Sequence, residues 1–564
     1  MRFARWPNII ALFFLGFVLF GYVLYPAGIT LLSSLHAEGL FSFEHYRSLL
    51  SPENRSSWEA IWNSVLISIW TVLLSGILGV FFAFTFTQFD FPFRRFLSRI
   101  AILPIALPPL VGVIAFLFVF GESGFIPRAM QSVFGLANIP FHLEGRAAIV
   151  VVHVYSFYVY FYLFVSTALR QLDGSQLEAA SGLGSTSWRI FFRIVLPELK
   201  PALIGSAILT FMTSMASFSA PFLFGGEHRF MTTLIYSTKL NGELDLAAAQ
   251  SVLLSLVSIM FFIVFRKVGW PGSHAKSKGA PRTSPMKVSI LTKNLMVTLC
   301  VGLLVVEVLP IITIIVISFV QEGSWTWQIL PTSYTMDNYL KLLSEVRVFE
   351  PIRNSMLMSV LAVVAAVAVG VPAAYLITKG GLRRSKFLLD LLVTMPFALP
   401  GTVIAIGLIL TFNSRTIFSG CSILVGSFWI LPIAYFIRLY PLVVRSTVAS
   451  LEQLDDSLIE AAETFGVGIV RKFRRVILPM ILPGIVSGSL LIMIAALGEF
   501  VSSILLYTYA SRPISVEILS QLRAYNFGPA AAYSVALLLL ILALTFLSNS
   551  LTRRPSSQNP PVNF

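Results

Sequence analysis

Apolar residues run through this chain in long blocks, and polar residues gather between them in short islands. Twelve blocks are long enough to cross a hydrocarbon layer of about 30 Å as helices. They cover residues 9–31, 60–87, 99–120, 147–170, 201–224 and 246–266, then 294–320, 354–379, 386–412, 422–446, 483–507 and 529–552. The pattern predicts an all-α polytopic membrane protein. The 9–31 block is longer than the apolar core of a secretory signal and has no small-x-small site at its end, so it reads as a span. Six spans return a chain to its starting side, so the two sets of six form tandem parallel repeats.

Two of the polar islands are the same sequence written twice. The first runs Gln171-Leu172-Asp173-Gly174-Ser175-Gln176-Leu177-Glu178-Ala179-Ala180, reaches Gly184 and closes with Ile194-Val195-Leu196-Pro197. The second runs Gln453-Leu454-Asp455-Asp456-Ser457-Leu458-Ile459-Glu460-Ala461-Ala462, reaches Gly466 and closes with Val476-Ile477-Leu478-Pro479. The offset of 282 (460 − 178) holds through Arg189/Arg471, Arg193/Arg475 and Pro201/Pro483. Fainter echoes pair Leu103-Pro104-Ile105-Ala106-Leu107-Pro108 with Met395-Pro396-Phe397-Ala398-Leu399-Pro400, and Asn63-Ser64 with Asn354-Ser355. Residues 1–266 and 294–564 are thus two copies of one core. Residues 267–293, rich in Gly, Pro, Ser and Lys, read as a flexible tether between them.

Composition fits this organisation. Of 564 residues, 56% are hydrophobic and 12% charged, about half the charged share of a soluble domain. A net charge of +14 would point a soluble protein toward nucleic acid, but here the basic residues flank membrane spans. With the N-terminus inside, 27 of the 40 Lys and Arg fall on the inner side and 12 on the outer. That bias predicts that both termini, the tether and both repeated islands are cytoplasmic. Cys300 and Cys421 lie in or beside apolar segments and predict neither a disulfide framework nor a metal site.

The islands, spanning 171–200 and 447–482, predict helix, turn, helix outside the bilayer. Ser175-x-x-Glu178 and Ser457-x-x-Glu460 have capping-box spacing. Gly184 and Gly466 fall where the chain turns, a place for positive φ. One such loop is an ordinary capped surface helix. Two ungapped copies, each ahead of the fifth span of its half, point to a docking surface used twice.

The string Glu-Ala-Ala, three residues, Gly, nine residues, Ile or Val, one residue, Leu-Pro resembles the cytoplasmic loop signature of binding-protein-dependent ABC importer permeases of the methionine-importer-type fold. The second copy departs from it only in Val476, where isoleucine is usual. The resemblance covers the whole chain as two fused six-helix cores and is nearest to ferric-iron uptake permeases; thiamine and aminoethylphosphonate permeases share the layout. It implies that Glu178, Ala179, Ala180 and Gly184, with Glu460, Ala461, Ala462 and Gly466, couple to a cytoplasmic ABC ATPase homodimer. It also implies a periplasmic or lipid-anchored solute-binding protein outside and a bacterial inner-membrane location.

The chain has no Gly-x-x-x-x-Gly-Lys-[Ser/Thr] phosphate loop, so ATP and its Mg belong to the partner, and no cofactor is expected on this chain. No catalytic or metal-binding spacing of His, Cys or carboxylates is present, and the chain reads as a transport subunit, not an enzyme. Pro104, Pro108, Pro109, Pro396 and Pro400 break the third and ninth spans and are candidates to line or hinge a path. Glu499 in the eleventh span, with Ser217 at the equivalent place in the fifth, joins them. An ion-coupled secondary transporter using Glu307, Arg438 or Glu499, and a membrane scaffold, are the competing classes. Neither needs two ATPase-docking loops.

Overall fold

The computed structural model describes residues 6–37, 40–269, 290–325, 328–379 and 383–552. The core of the tether, with Lys276, Lys278 and Arg282, lies outside the described residues. Among the described residues, all regular structure is helical apart from a two-residue antiparallel pair, His36–Ala37 with Leu40–Phe41. A backbone in hydrocarbon must satisfy its own N–H and C=O groups, and helices do so within one segment.

Among the described residues, eleven helices are long and apolar enough to span a membrane. They are Leu12–Ser33, Arg55–Gln88, Pro109–Val133, Gly145–Arg170, Trp188–Met215, Leu244–Phe265, Ile290–Ser318, Val346–Lys379, Ile430–Glu452, Phe473–Leu497 and Phe527–Ser548. The pair Lys386–Phe397 and Gly401–Phe412, bent by 104°, is a broken span or a re-entrant loop, and counted as one span it makes twelve, the ninth in chain order.

The largest departures from the sequence boundaries occur at proline and at chain breaks. The third span begins at Pro109 instead of 99, because Leu103–Ala106 forms a 3-10 turn. Pro108 is the N-cap of the helix that follows, and neither Pro104, Pro108 nor Pro109 has an N–H to continue an α-helix through the segment. Pro400 takes the same N-cap position for Gly401–Phe412, whereas Pro396 stays inside the preceding helix. The fifth and eleventh spans start early, at Trp188 and Phe473, and stop at Met215 and Leu497. Short helices, Ser219–Phe224 and Val501–Leu506, follow each break. Glu499 therefore sits in a break and not midway along a continuous helix.

The freed backbone at both breaks is satisfied in the same way. Thr232 Oγ1 donates to the Ser217 carbonyl at 2.7 Å, and Ser515 Oγ donates to the Glu499 carbonyl at 2.8 Å. Thr232 and Ser515 lie on the helices Met231–Leu240 and Ile514–Arg523. The Asn-Ser echo holds those helices in place. Ser64 Oγ accepts from Met231 N at 3.0 Å and Ser355 Oγ from Ile514 N at 2.8 Å. Asn63 Nδ2 donates to the Arg229 carbonyl at 3.1 Å and Asn354 Nδ2 to that of Arg512 at 3.3 Å.

Packing divides the chain into two compact units. One comprises 1–48, 235–252 and 334–563; the other comprises 49–234 and 253–333. The units are not simply the sequence halves, because each half gives its first span to the unit built mainly from the other. In the former unit Tyr22 Oη donates to the Phe418 carbonyl at 2.6 Å. A Cβ on Gly407 there would meet Thr30 Oγ1 at 2.9 Å, so glycine permits the close approach of the first span. In the latter unit Cys300 and Leu304 of the seventh span are buried with Phe82, Tyr158 and Val159.

Candidate functional site: two repeated loops

Each loop begins on an aspartate. Asp173 Oδ1 accepts from Ser175 N at 2.9 Å and from Ser175 Oγ at 2.7 Å, at the start of the helix Gly174–Gly182. Asp455 Oδ1 accepts from Ser457 N at 2.9 Å, ahead of the helix Asp456–Thr464. This corrects the expected capping boxes, since Ser175 and Ser457 stand two residues inside the caps. A carboxylate at that position both accepts from a free N–H and meets the positive end of the helix dipole. The hydrogen bond from Ser457 holds the Asp455 carboxyl below its usual pKa.

Each helix ends on the predicted glycine. Ser185 N donates to the Ala180 carbonyl and Gly184 N to the Ser181 carbonyl, both at 3.0 Å. Gly184 has φ +76, which completes a Schellman turn. In the second loop Val467 N donates to the Ala462 carbonyl at 3.1 Å, and Gly466 has φ +68. A Cβ on either glycine would meet nothing within 4 Å. The backbone conformation, not crowding, is what calls for glycine here.

These turns place Glu178, Ala179, Glu460 and Ala461 on exposed faces, while Leu177 of the first helix is buried. They also expose one large apolar residue just before each glycine: Leu183 at 87% and Phe465 at 85%. Neither residue was among the sequence candidates. The 282-residue offset pairs them, and a large apolar residue at the same place in two polar islands was the available signal. Beyond each turn come Ser187–Ile190 and Ile469–Lys472, then π-turns at Phe191–Val195 and Phe473–Ile477. The π-turns lead without interruption into the fifth and eleventh spans.

Of the path candidates, Ser217 and Glu499 lie in breaks, Pro104 in the 3-10 turn and Pro108 and Pro400 at N-caps, whereas Pro396 lies inside the helix Arg383–Ala398. Arg438 Nη1 lies 2.6 Å from Glu499 Oε1, and Ser502 N donates to the same oxygen at 3.0 Å. Gly401, after Pro400, has no room for a Cβ because the Arg438 guanidinium fills the space. The ninth-span break, the tenth span and the eleventh-span break thus meet at one ion pair. At the matching place in the first copy a histidine and two serines meet instead: His153 Nε2 is 2.9 Å from Ser217 Oγ, and Ser214 Oγ is 3.1 Å from His153 Nδ1. Glu307 is buried in the seventh span, with no hydrogen-bond partner at Oε1. Among the described residues, no group of three or more His, Cys, Asp or Glu is placed to hold a metal ion.

The family model described as binding-protein-dependent transport system inner membrane component matches residues 56–268 and 366–557, and each segment holds one repeated loop. A probable ABC transporter permease, y4fN of Sinorhizobium fredii, is 28% identical over 89% of this chain and 89% of its own. The ferric transport system permease FbpB of Actinobacillus pleuropneumoniae is 25% identical over 96% of this chain and 78% of its own. The molybdenum permease ModB of Escherichia coli is 30% identical over 37% of this chain and 90% of its own. A crystal structure of a bacterial ABC transporter that imports alginate aligns with 48% of this chain and 98% of its own at 18% identity and a TM-score of 0.39.

Proposed function

Because the chain belongs to the family of binding-protein-dependent transport system inner membrane components, we infer that its two repeated loops are where an ATP-hydrolysing partner grips it. It is a permease subunit of an ABC importer and not itself an enzyme, and the ion-coupled and scaffold readings give way to that membership. Glu178, Ala179, Ala180 and Gly184 dock on one ATPase subunit, and Glu460, Ala461, Ala462 and Gly466 on the second subunit of a homodimer. The observation that carries this is the paired turn at Gly184 and Gly466, which presents Leu183 and Phe465 as equivalent apolar knobs at the same place in the two loops. Knobs of this kind fill pockets on a partner.

Movement of each loop passes through its π-turn directly into the fifth or eleventh span, and so to the breaks at Ser217 and Glu499. An interface displacement becomes a rearrangement of broken helices, a common form of switching motion. The loops and both termini are cytoplasmic, and a solute-binding protein, periplasmic or lipid-anchored, docks on the opposite side. Residues 32–58, 225–245, 321–352 and 508–528 offer it short helices such as Glu44–Leu50 and Asp337–Ser344.

The cargo is ferric iron. Support comes from the relatives named as ferric transport permeases, which match nearly the full length of this chain. The test is uptake of radioactive ferric iron by proteoliposomes that hold the chain with the ATPase and binding protein that copurify with it. ATP-dependent accumulation is expected. ATP-dependent uptake of thiamine or aminoethylphosphonate with no iron uptake overturns the cargo but leaves the importer.

A further inference from the structure

Trp188 and Phe191, at the start of the fifth span where the first repeated loop enters it, help line an apolar groove of about 930 Å³. Its walls include Ile77 and Phe84 of the second span, Leu203 of the fifth and Met296 of the seventh. All of these belong to one compact unit. Phe84 and Phe191 meet at 5.7 Å between ring centroids, while Trp188 and Ile77 are largely exposed. The groove therefore opens toward the membrane, and its lining is almost wholly hydrocarbon and aromatic.

The loop end of this groove is basic. Arg94 Nη1 donates to the carbonyl of Phe89, a lining residue, at 3.2 Å, and stands 3.8 Å from Asp90. Arg189 adjoins Trp188, Arg193 lies two residues past Phe191, and Lys293 adjoins the lining residue Thr292. No side-chain partner engages Arg189, Arg193 or Lys293 among the described residues. An interfacial tryptophan beside unpaired cations marks the headgroup level of a bilayer, and basic pockets between spans on the cytoplasmic side take anionic headgroups.

We propose that this groove seats an acyl chain of one anionic phospholipid, with its phosphate held by Arg189, Arg193 and Lys293. The occupant is lipid, because an apolar wall beside cations without side-chain partners matches an acyl chain joined to an anionic headgroup. A seated chain braces Trp188 and Phe191, the residues through which the first loop pulls on the fifth span. Only the assignment to the cytoplasmic leaflet rests on the proposed orientation of the loops.

The test is native mass spectrometry of the full chain extracted from an equimolar mixture of dioleoyl phosphatidylglycerol and dioleoyl phosphatidylcholine. Retention of phosphatidylglycerol over phosphatidylcholine is expected. The triple variant R189Q/R193Q/K293Q should lose that preference by about fivefold per side chain at low salt. Gly76→Trp or Ala207→Phe, which add bulk to the lining, should lower retention of both lipids several-fold in monodisperse protein. Phosphatidylglycerol with brominated acyl chains gives a further readout, because it should quench wild-type fluorescence that Trp188→Phe lacks. Unchanged preference in the triple variant, or equal quenching of wild type and Trp188→Phe, overturns the proposal. None of these measurements uses ATP, a binding protein or iron, so they stand or fall apart from the transport reading.

Discussion

Glu499 Oε1 takes a 2.6 Å hydrogen bond from Arg438 Nη1 at the break in the eleventh span, with Glu499 7% exposed and Arg438 27% exposed. Removing one member of a buried ion pair strands the other and costs about 3–5 kcal/mol, whereas replacing both with apolar groups is often close to neutral. Glu499→Gln should therefore lower the thermal midpoint of the detergent-solubilised protein. The double variant Arg438→Met/Glu499→Met should recover most of the loss. Full stability in Glu499→Gln together with slowed uptake would instead assign the carboxylate to the transport path.

The positive φ of Gly184 and Gly466 gives a second prediction. A β-branched residue in that region costs about 1–3 kcal/mol, and no neighbour adds a clash. The strain stays within the loop, so Gly466→Val should insert normally yet lose substrate-stimulated ATPase activity in the assembled importer. Asparagine tolerates the left-handed region, so Gly466→Asn should keep much of that activity. Equal loss in both variants would show that the side chain obstructs the partner, and that backbone shape is not the cause.

Leu183 and Phe465 give the third. An apolar anchor truncated at an interface commonly costs about 2 kcal/mol or more, which is roughly thirtyfold in affinity. Leu183→Ala and Phe465→Ala should each weaken capture of the ATPase by the solubilised permease to that degree without changing its own melting. Glu178→Gln should weaken capture less, because it alters one charge on an exposed helix face. Wild-type capture by the Leu183→Ala/Phe465→Ala pair would remove the knobs from the interface.

Sequence legibility followed the same divide between local rules and long-range packing. The two loops were readable because a duplicated Gly184/Gly466 and its flanking Ala180/Ala462 obey local rules for ending a helix. The caps were misplaced by two residues, since serine and aspartate both favour helix starts and only the fold decides between Asp173 and Ser175. The breaks at Ser217 and Glu499 were hidden. They depend on hydroxyls of Thr232 and Ser515, on separate short helices, and an apolar run looks alike whether or not it is interrupted. The pairing of Arg438 with Glu499, 61 residues apart, likewise required the fold. The tether expected at 267–293 falls mostly outside the described residues.

Asp455 supplies a pH prediction. Its folded pKa is depressed by the hydrogen bond from Ser457, so the cap contributes when the carboxyl is ionised. The contribution is present above the unfolded value of about 3.9 and is lost as pH falls through the lower folded value. The protection factors of residues 456–464, which are exchange rates corrected for the intrinsic pH dependence, should be unchanged from pH 7 down to about 5, well above that unfolded value. Asp455→Ala should speed exchange there at neutral pH. Asp455→Asn should not, because its amide oxygen still accepts from Ser457 N. Identical exchange in wild type and Asp455→Ala would show that the cap does not hold the helix.

The exchange of first spans leads to the last prediction. Residues 1–266 expressed alone lack the seventh span, whose Cys300 and Leu304 are buried against Phe82 and Tyr158. Residues 294–564 alone lack Tyr22, which donates to the Phe418 carbonyl, and Thr30, against which Gly407 packs. Each half is then missing a helix that covers part of its core, and large buried side chains of that core face lipid or a gap. Neither half should give a monodisperse, protease-resistant particle by itself. A chain cut between Gly272 and Gly279, with the fragments made together, should assemble and transport, because the tether contributes chiefly effective concentration. A first half that is stable on its own would mean that the seventh span is not needed to complete the cluster around Phe82. Co-expressed fragments that insert but fail to associate would give the tether a structural role.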